Sequence, residues 1–159
     1  ASYEDQDMSH VIVQLVDYLG WEYVQSSHHD ESVIILKLTN NAPTVLIIDD
    51  NEALIDLLKR YLADQSTRVV ATQQGEEGIR LAQDIQPDLI VLDVMMPEMD
   101  GWEVLQRLRT YPNMSHIPII VCSVFNDPEL ALSLGASLML PKPVSKETFL
   151  DALAQVGLV

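Results

Sequence analysis

The sequence predicts an α/β domain, a parallel sheet of five strands with helices on both faces, and three observations carry that prediction. Four short runs are mostly apolar, TVLII (44–48), DLIVL (88–92), IPIIVC (117–122) and SLMLP (137–141), and a fifth, TRVVAT (67–72), is strand-like. Each is followed by a segment whose apolar residues recur at the spacing of one helix face. Polar, turn-forming residues separate the two kinds of segment. Strands this apolar must be covered on both sides, which is the environment of a parallel sheet with helices above and below it.

The elements follow in order. TNNAP (39–43) is polar, and Pro43 disfavours helix before it, so a boundary is expected there, between an N-terminal segment 1–42 and a domain 43–159. After the first strand, residues 52–64 form a helix with Asn51 as N-cap and Leu54, Leu57, Leu58, Tyr61 and Leu62 along one face. The helix over 75–84 turns Ile79, Leu81 and Ala82 inward, and that over 101–110 does so with Val104, Leu105 and Leu108. A short helix over 127–134 starts near Asn126 or Asp127. The closing helix, 145–156, has Ser145 as N-cap and Glu147 in its first turn. Right-handed crossovers through five such units give a doubly wound, flavodoxin-like (βα)5 sheet in strand order 2-1-3-4-5.

Composition excludes several functions. Nine Lys and Arg stand against 24 Asp and Glu, a formal charge of −15 over 159 residues. Direct nucleic-acid binding shows a basic footprint, and an anionic membrane surface attracts one; neither partner is expected here. No apolar run reaches the length of a membrane span, and the polar start ASYEDQDMSH is unlike a signal peptide. Cys122 is the single cysteine, set inside an apolar run, and is expected as a buried small hydrophobe in a reducing, cytoplasmic setting. The chain begins without Met, which suggests a piece of a longer protein.

The charges at the strand ends point to chemistry. In a doubly wound sheet ligands bind past the carboxyl ends of the strands where strand order reverses, here between the first and third strands. The first strand ends in Asp49-Asp50 and the third in Asp93. One acid at a strand end is usually a cap or a loop acid, but three in one crevice repel one another unless a cation lies between them. Hard oxygen ligands favour Mg²⁺ or Mn²⁺. Ser123 follows the fourth strand and Lys142 the fifth, so a hydroxyl, an ammonium, carboxylates and a metal converge, a set suited to a phosphoryl group. Asp93 is the candidate nucleophile, forming an acyl phosphate, with Lys142 and the metal holding the transferring oxygens and Ser123 hydrogen-bonding one of them.

Residues 44–158 resemble a response-regulator receiver domain of two-component signalling, through IIDDNE (47–52), LIVLDVMMPEMDG (89–101), PIIVCS (118–123) and GASLMLPKP (135–143). The resemblance implies that Asp93 is the phosphoacceptor, that Asp50 and Asp93 bind Mg²⁺ directly with Asp49 acting largely through water, and that the carbonyl of Met95 is a further ligand. It makes Ser123 the switch hydroxyl and Lys142 the phosphate-binding lysine. It also implies a Lys142–Pro143 bond that is often cis, with Pro97 and Gly101 shaping the loop and the approach of the next helix. Two positions depart from the family pattern. Met139 stands where an aromatic is usual, which removes the ordinary aromatic switch, and Val124 stands where a small residue is usual, which should hinder water attack on the phosphoryl group.

The first forty residues read as a helix (8–20) and two hairpin strands, WEYVQSS (21–27) and SVIILKL (32–38), joined by HHDE. Two adjacent histidines, His28 and His29, offer too few ligands for a closed zinc site, and a solvated hairpin tip is expected. The segment resembles the last elements of a histidine-kinase ATP-binding domain, which implies a hybrid kinase as parent; a winged-helix remnant also ends in helix and hairpin, but one Lys against seven acids disfavours DNA. An exposed hairpin edge invites pairing with another copy, a homodimer. The function expected is therefore Mg-dependent transfer from a phosphohistidine, on a histidine kinase or phosphotransfer protein, to Asp93. The transfer switches a protein-interaction face made by the fourth helix, fifth strand and fifth helix. The chain is thus a phosphoacceptor and not an enzyme. The rival reading is a metal-dependent phosphatase with an Asp nucleophile, whose second Asp would stand at Met95. A pseudo-receiver is the third reading, and the intact acid set argues against it.

Overall fold

The computed structural model describes residues 22–28, 31–37, 42–97 and 99–158. The chain divides into two compact units, Ala1–Asn41 and Ala42–Val159, each described by itself. In the first, β1 (Glu22–His28) and β2 (Glu31–Lys37) pair antiparallel, from Glu22 opposite Lys37 to His28 opposite Glu31. His28 and Glu31, expected in the turn, are the last pair of the ladder instead. Extended backbone gains ladder hydrogen bonds wherever facing residues can pair, so the ladder runs one pair further than the residue types indicate. The helix expected over 8–20 lies outside the described residues.

The second unit alternates β3 (Thr44–Ile48), α1 (Glu52–Leu62), β4 (Arg68–Thr72), α2 (Gly75–Ile85), β5 (Leu89–Leu92), α3 (Gly101–Thr110), β6 (Ile119–Ser123), α4 (Pro128–Ser133), β7 (Leu138–Pro141) and α5 (Lys146–Gln155). The five strands are parallel in order β4-β3-β5-β6-β7, which is 2-1-3-4-5 within the unit. Strand periodicity splits the core in two. Leu46, Ile48, Ile90 and Leu92 face α2 and α3, packing on Ile79, Ala82, Val104, Leu105 and Leu108. Val45, Ile47, Leu89 and Val91 face α1 and α5, packing on Ile55, Leu58, Leu62, Phe149 and Leu153. Each such side chain, fully buried, contributes about 2 kcal/mol of transfer free energy.

Local chemistry sets the boundaries. Asn51 caps α1, its side chain accepting from the amides of Ala53 and Leu54 at 3.0 and 3.3 Å. Asp127 caps α4 and Ser145 caps α5. The buried stripe of α1 is Ile55, Leu58 and Leu62, with Leu54 and Tyr61 at its margin, so the face is rotated from the expected one and Leu57 is not in the core. Along α2, Gly78 is buried where the helix meets β3: a Cβ there would lie 2.5 Å from Ile48 Cδ1. That contact draws the helix onto the sheet through Gly78, Ile79 and Ala82 and leaves Leu81 only partly buried. The strand expected from Ile117 begins at Ile119 and runs on through Ser123, because Pro118 has no N–H to give a ladder. A 3₁₀ turn at Pro112–Met114 was not anticipated. At the amino end of the sheet, the Arg109 guanidinium donates to the carbonyls of Gly135 at 2.8 Å and of Met114 and Ile117 at 2.9 Å. Burial lowers its pKa from the ordinary arginine value.

Candidate functional site

The site lies at the carboxyl end of the sheet, where β3 has β4 on one side and β5 on the other. Main-chain pairing carries on one residue past the strands and positions both buried acids. The Asp49 amide donates to Thr72 O at 3.2 Å and the Asp93 amide to Ile48 O at 2.8 Å. Likewise the Lys142 amide donates to Ser123 O at 2.9 Å, bringing the end of β7 beside that of β6. The Lys142–Pro143 bond is cis, as the family pattern implies.

Asp49, Asp50 and Asp93 each present a carboxylate oxygen within 4.8 Å of the others. Asp49 and Asp93 are buried, at 2% and 4% exposure, and Asp50 is open to solvent. Each buried carboxylate is held at both oxygens. Asp49 Oδ1 accepts from the Asn51 amide at 2.8 Å and Asp93 Oδ1 from the Met95 amide at 2.9 Å. The Lys142 ammonium donates to Asp49 Oδ2 at 2.8 Å and to Asp93 Oδ2 at 2.7 Å, so one side chain from the residue after β7 bridges the ends of β3 and β5. Asp93 is thus at a strand tip, as the sequence indicates, but roofed over: a lysine and a turn amide replace the water it would otherwise face. Ser123 is fully buried, and its hydroxyl accepts from the Phe125 amide at 3.1 Å.

The electrostatics follow from burial. Burial raises the Asp49 carboxyl above the usual range despite the opposing hydrogen bonds from Lys142 and Asn51. Burial alone would lower Lys142; its hydrogen bonds to the two carboxylates outweigh that and hold the ammonium protonated above its ordinary value. Three carboxylates with one ammonium leave the crevice with excess negative charge. Its donors are all oxygen, one carboxylate faces solvent, and there is no histidine or cysteine in the cluster, so the set fits a hard divalent cation that keeps part of its water shell. Cys122, one residue before Ser123, is fully buried, and burial pushes its thiol up to about 12, which keeps it protonated and inert.

Beside the acids runs a groove of about 870 Å³ lined by Asp50, Met95, Met96, Pro97, Trp102 and Phe125, among others. Met95, Val124 and Phe125 are 54%, 68% and 50% exposed, three of the four large apolar side chains that stand out on the described surface. Sequence reasoning singled out Val124 and Met95 but missed Phe125 and Trp102. An aromatic two residues past a strand end was the available signal. Met139 is partly buried against the core.

A doubly wound sheet with three acids, a lysine and a hydroxyl at its switch point defines the phosphoacceptor domains of two-component signalling. Comparison with known proteins agrees: residues 45–154 match the model of the response regulator receiver domain, and the chain belongs to that family. It is 39% identical over 105 residues to the transcriptional regulatory protein AfsQ1 of Streptomyces coelicolor, covering 64% of this chain and 45% of that one. The chain therefore spans less than half the length of that relative. The chemotaxis protein CheY4 of Vibrio cholerae has the same fold, at 30% identity and a TM-score of 0.68, over 72% of this chain and 98% of that one. The receiver domain of a signal transduction histidine kinase from Syntrophus aciditrophicus superposes with a TM-score of 0.66 at 29% identity, over 72% of this chain and 89% of that one. Receiver domains take part in phosphoryl signalling between histidine kinases and downstream effectors. No helix among the described residues is long and apolar enough to cross a membrane.

Proposed function

We propose that Asp93 accepts a phosphoryl group from the phosphohistidine of a histidine kinase or phosphotransfer protein, and that the acyl phosphate so formed switches a protein-binding face. The single observation that carries this is the Lys142 ammonium bridging Asp49 and Asp93 across the crevice. A carboxylate oxygen of Asp93 forms the new P–O bond as the P–N bond of the donor breaks, and the imidazole leaves with the bond's electron pair. Lys142 gives up part of its contact with Asp93 and follows the arriving phosphoryl oxygens, with Asp49 still anchoring it. Asp50, Asp93, the Met95 carbonyl and, through water, Asp49 would hold Mg²⁺ or Mn²⁺. When bound, the cation neutralises charge developing on the transferring oxygens. The Ser123 hydroxyl turns from the Phe125 amide toward a phosphoryl oxygen, and that rotation biases the face of α4, β7 and α5, where Leu132 is 53% exposed. The domain itself turns over no substrate pool: it is modified once per signal.

Residues 43–159 constitute this receiver. Residues 1–42 are the tail of a preceding domain, in keeping with a cytoplasmic hybrid kinase, and β2 offers an edge for self-association. The excess of acids argues against nucleic-acid and membrane partners. Incubation with acetyl phosphate or beryllium fluoride and Mg²⁺ tests the central reading. One adduct per chain, on the peptide bearing Asp93 and dependent on the divalent ion, is the expected result. Steady turnover of a generic phosphate ester without a lasting adduct would sink it.

Two variants probe the roles. Lys142→Met removes the charge that follows the phosphoryl oxygens, and transfer from acetyl phosphate should slow about a hundredfold in stopped-flow or mass-spectrometric kinetics. Val124→Ala trims a side chain next to the switch hydroxyl, and the phosphoryl half-life should shorten by about threefold, a modest change in barrier. An unchanged half-life, followed by loss of the adduct over time, removes Val124 from any role in excluding water.

A further inference from the structure

We propose that the thioether of Met95 is an oxidation site, and that its conversion to the sulfoxide shortens the life of the phosphoryl group on Asp93. This rests on the phosphoacceptor reading above and adds to it a chemical input at the same site. Five of the chain's six methionines fall among the described residues. Met114 and Met96 are buried at 0% and 9% exposure, Met99 and Met139 are partly buried against the core, and Met95 is 54% exposed. The other oxidisable sulfur, Cys122, is out of reach in the core with its thiol held protonated. Met95 is therefore the most exposed sulfur among the described residues.

Its place gives the modification a consequence. The Met95 amide is bound to Asp93 Oδ1 at 2.9 Å, so the backbone that carries the thioether is anchored to the phosphoacceptor itself. The side chain lines the groove with Asp50 and Phe125. Phe125 is in turn tied through its amide to the Ser123 hydroxyl. Met95 and Phe125, with Val124 next to Phe125 in the chain, thus present an apolar collar beside the phosphoacceptor that offers water no hydrogen-bond partner. With hydrogen peroxide as oxidant, a sulfur lone pair attacks one peroxide oxygen, the O–O bond breaks, and the departing hydroxide takes up the proton as water. Sulfur is oxidised by two electrons and peroxide is reduced. The product carries a strong hydrogen-bond acceptor where an apolar group stood. It brings water into the collar, and water is the reagent that hydrolyses an acyl phosphate.

The test uses the 159-residue chain, treated or untreated with dilute hydrogen peroxide, then freed of oxidant and phosphorylated with acetyl phosphate and Mg²⁺. Peptide mapping should show Met95 oxidised before Met96, Met99, Met114 and Met139. The phosphoryl half-life of treated chain should fall at least about threefold, the change expected of a small drop in barrier, and methionine sulfoxide reductase should restore it. Met95→Leu should show no change between treated and untreated samples, whatever its own half-life, and Met99→Leu should respond as wild type does. The inference is overturned if Met95 resists peroxide, if its oxidation leaves the half-life unchanged, or if Met95→Leu responds equally. Absence of any adduct on untreated Asp93 would instead overturn the phosphoacceptor reading.

Discussion

Asp93→Asn is expected to abolish the phosphate adduct while leaving the fold intact. An amide nitrogen has its lone pair delocalised and the amide oxygen is a far weaker nucleophile than a carboxylate, so transfer should fall by at least about a thousandfold, to background. The rest of the site can accommodate the change. The asparagine oxygen can still accept from the Met95 amide, as Asp93 Oδ1 does at 2.9 Å. Its NH₂ then meets the Lys142 ammonium, donor against donor, where Asp93 Oδ2 accepted at 2.7 Å. Lys142 keeps Asp49 at 2.8 Å; the lost charge-assisted bond costs about 2 kcal/mol, and relief of repulsion among the three carboxylates offsets part of it. Mass spectrometry after acetyl phosphate treatment and a urea melt measure the two effects separately. An adduct that persists in the variant would move the phosphoacceptor elsewhere.

Gly101→Ala should be the most damaging small substitution in the domain. Gly101 opens α3, where its amide donates to Val94 O at 3.2 Å, and an added Cβ would lie 2.3 Å from both Asp93 O and Val94 Cα. Both obstacles are backbone, so no rotamer change relieves the overlap. The helix must be pushed off the loop that follows β5. Such overpacking costs about 3 kcal/mol, or a fall in Tm of roughly 10 °C for a unit of this size. The loop that must yield is the one that carries Asp93, so phosphorylation should also slow in chain that remains folded at low temperature. A melt unchanged to within about 1 °C would show that the helix start has slack that the geometry does not reveal, on the scaling that links small free energies to Tm.

Much of this molecule can be read from its sequence, and the reasons are physical. Strand order and core follow from the apolar runs, because a strand such as TVLII has no side that tolerates water. The acids could be placed because a sheet of this kind has one crevice, at one end. What could not be read is where contact, and not pattern, decides. Ile55 faces the core in place of Leu57 because the tilt of α1 on the sheet selects among equally apolar positions. Lys142 contacting two carboxylates at once depends on how far β7 extends beside β6, which one-dimensional spacing does not encode. Phe125 gave no periodic signal, since a single exposed aromatic in a loop belongs to no repeat. The absence of a second Asp at Met95, by contrast, was legible at once, and the family match leaves the phosphatase reading without support.

The three carbonyls gathered by Arg109 lie at the opposite end of the sheet from the reacting groups. One planar cation there does for the chain's connections what a keystone does for an arch. The bonds that tie that end share no side chain with the groups that react at the other. Side chains at the reacting pole can therefore be exchanged without touching the contacts that hold the opposite one.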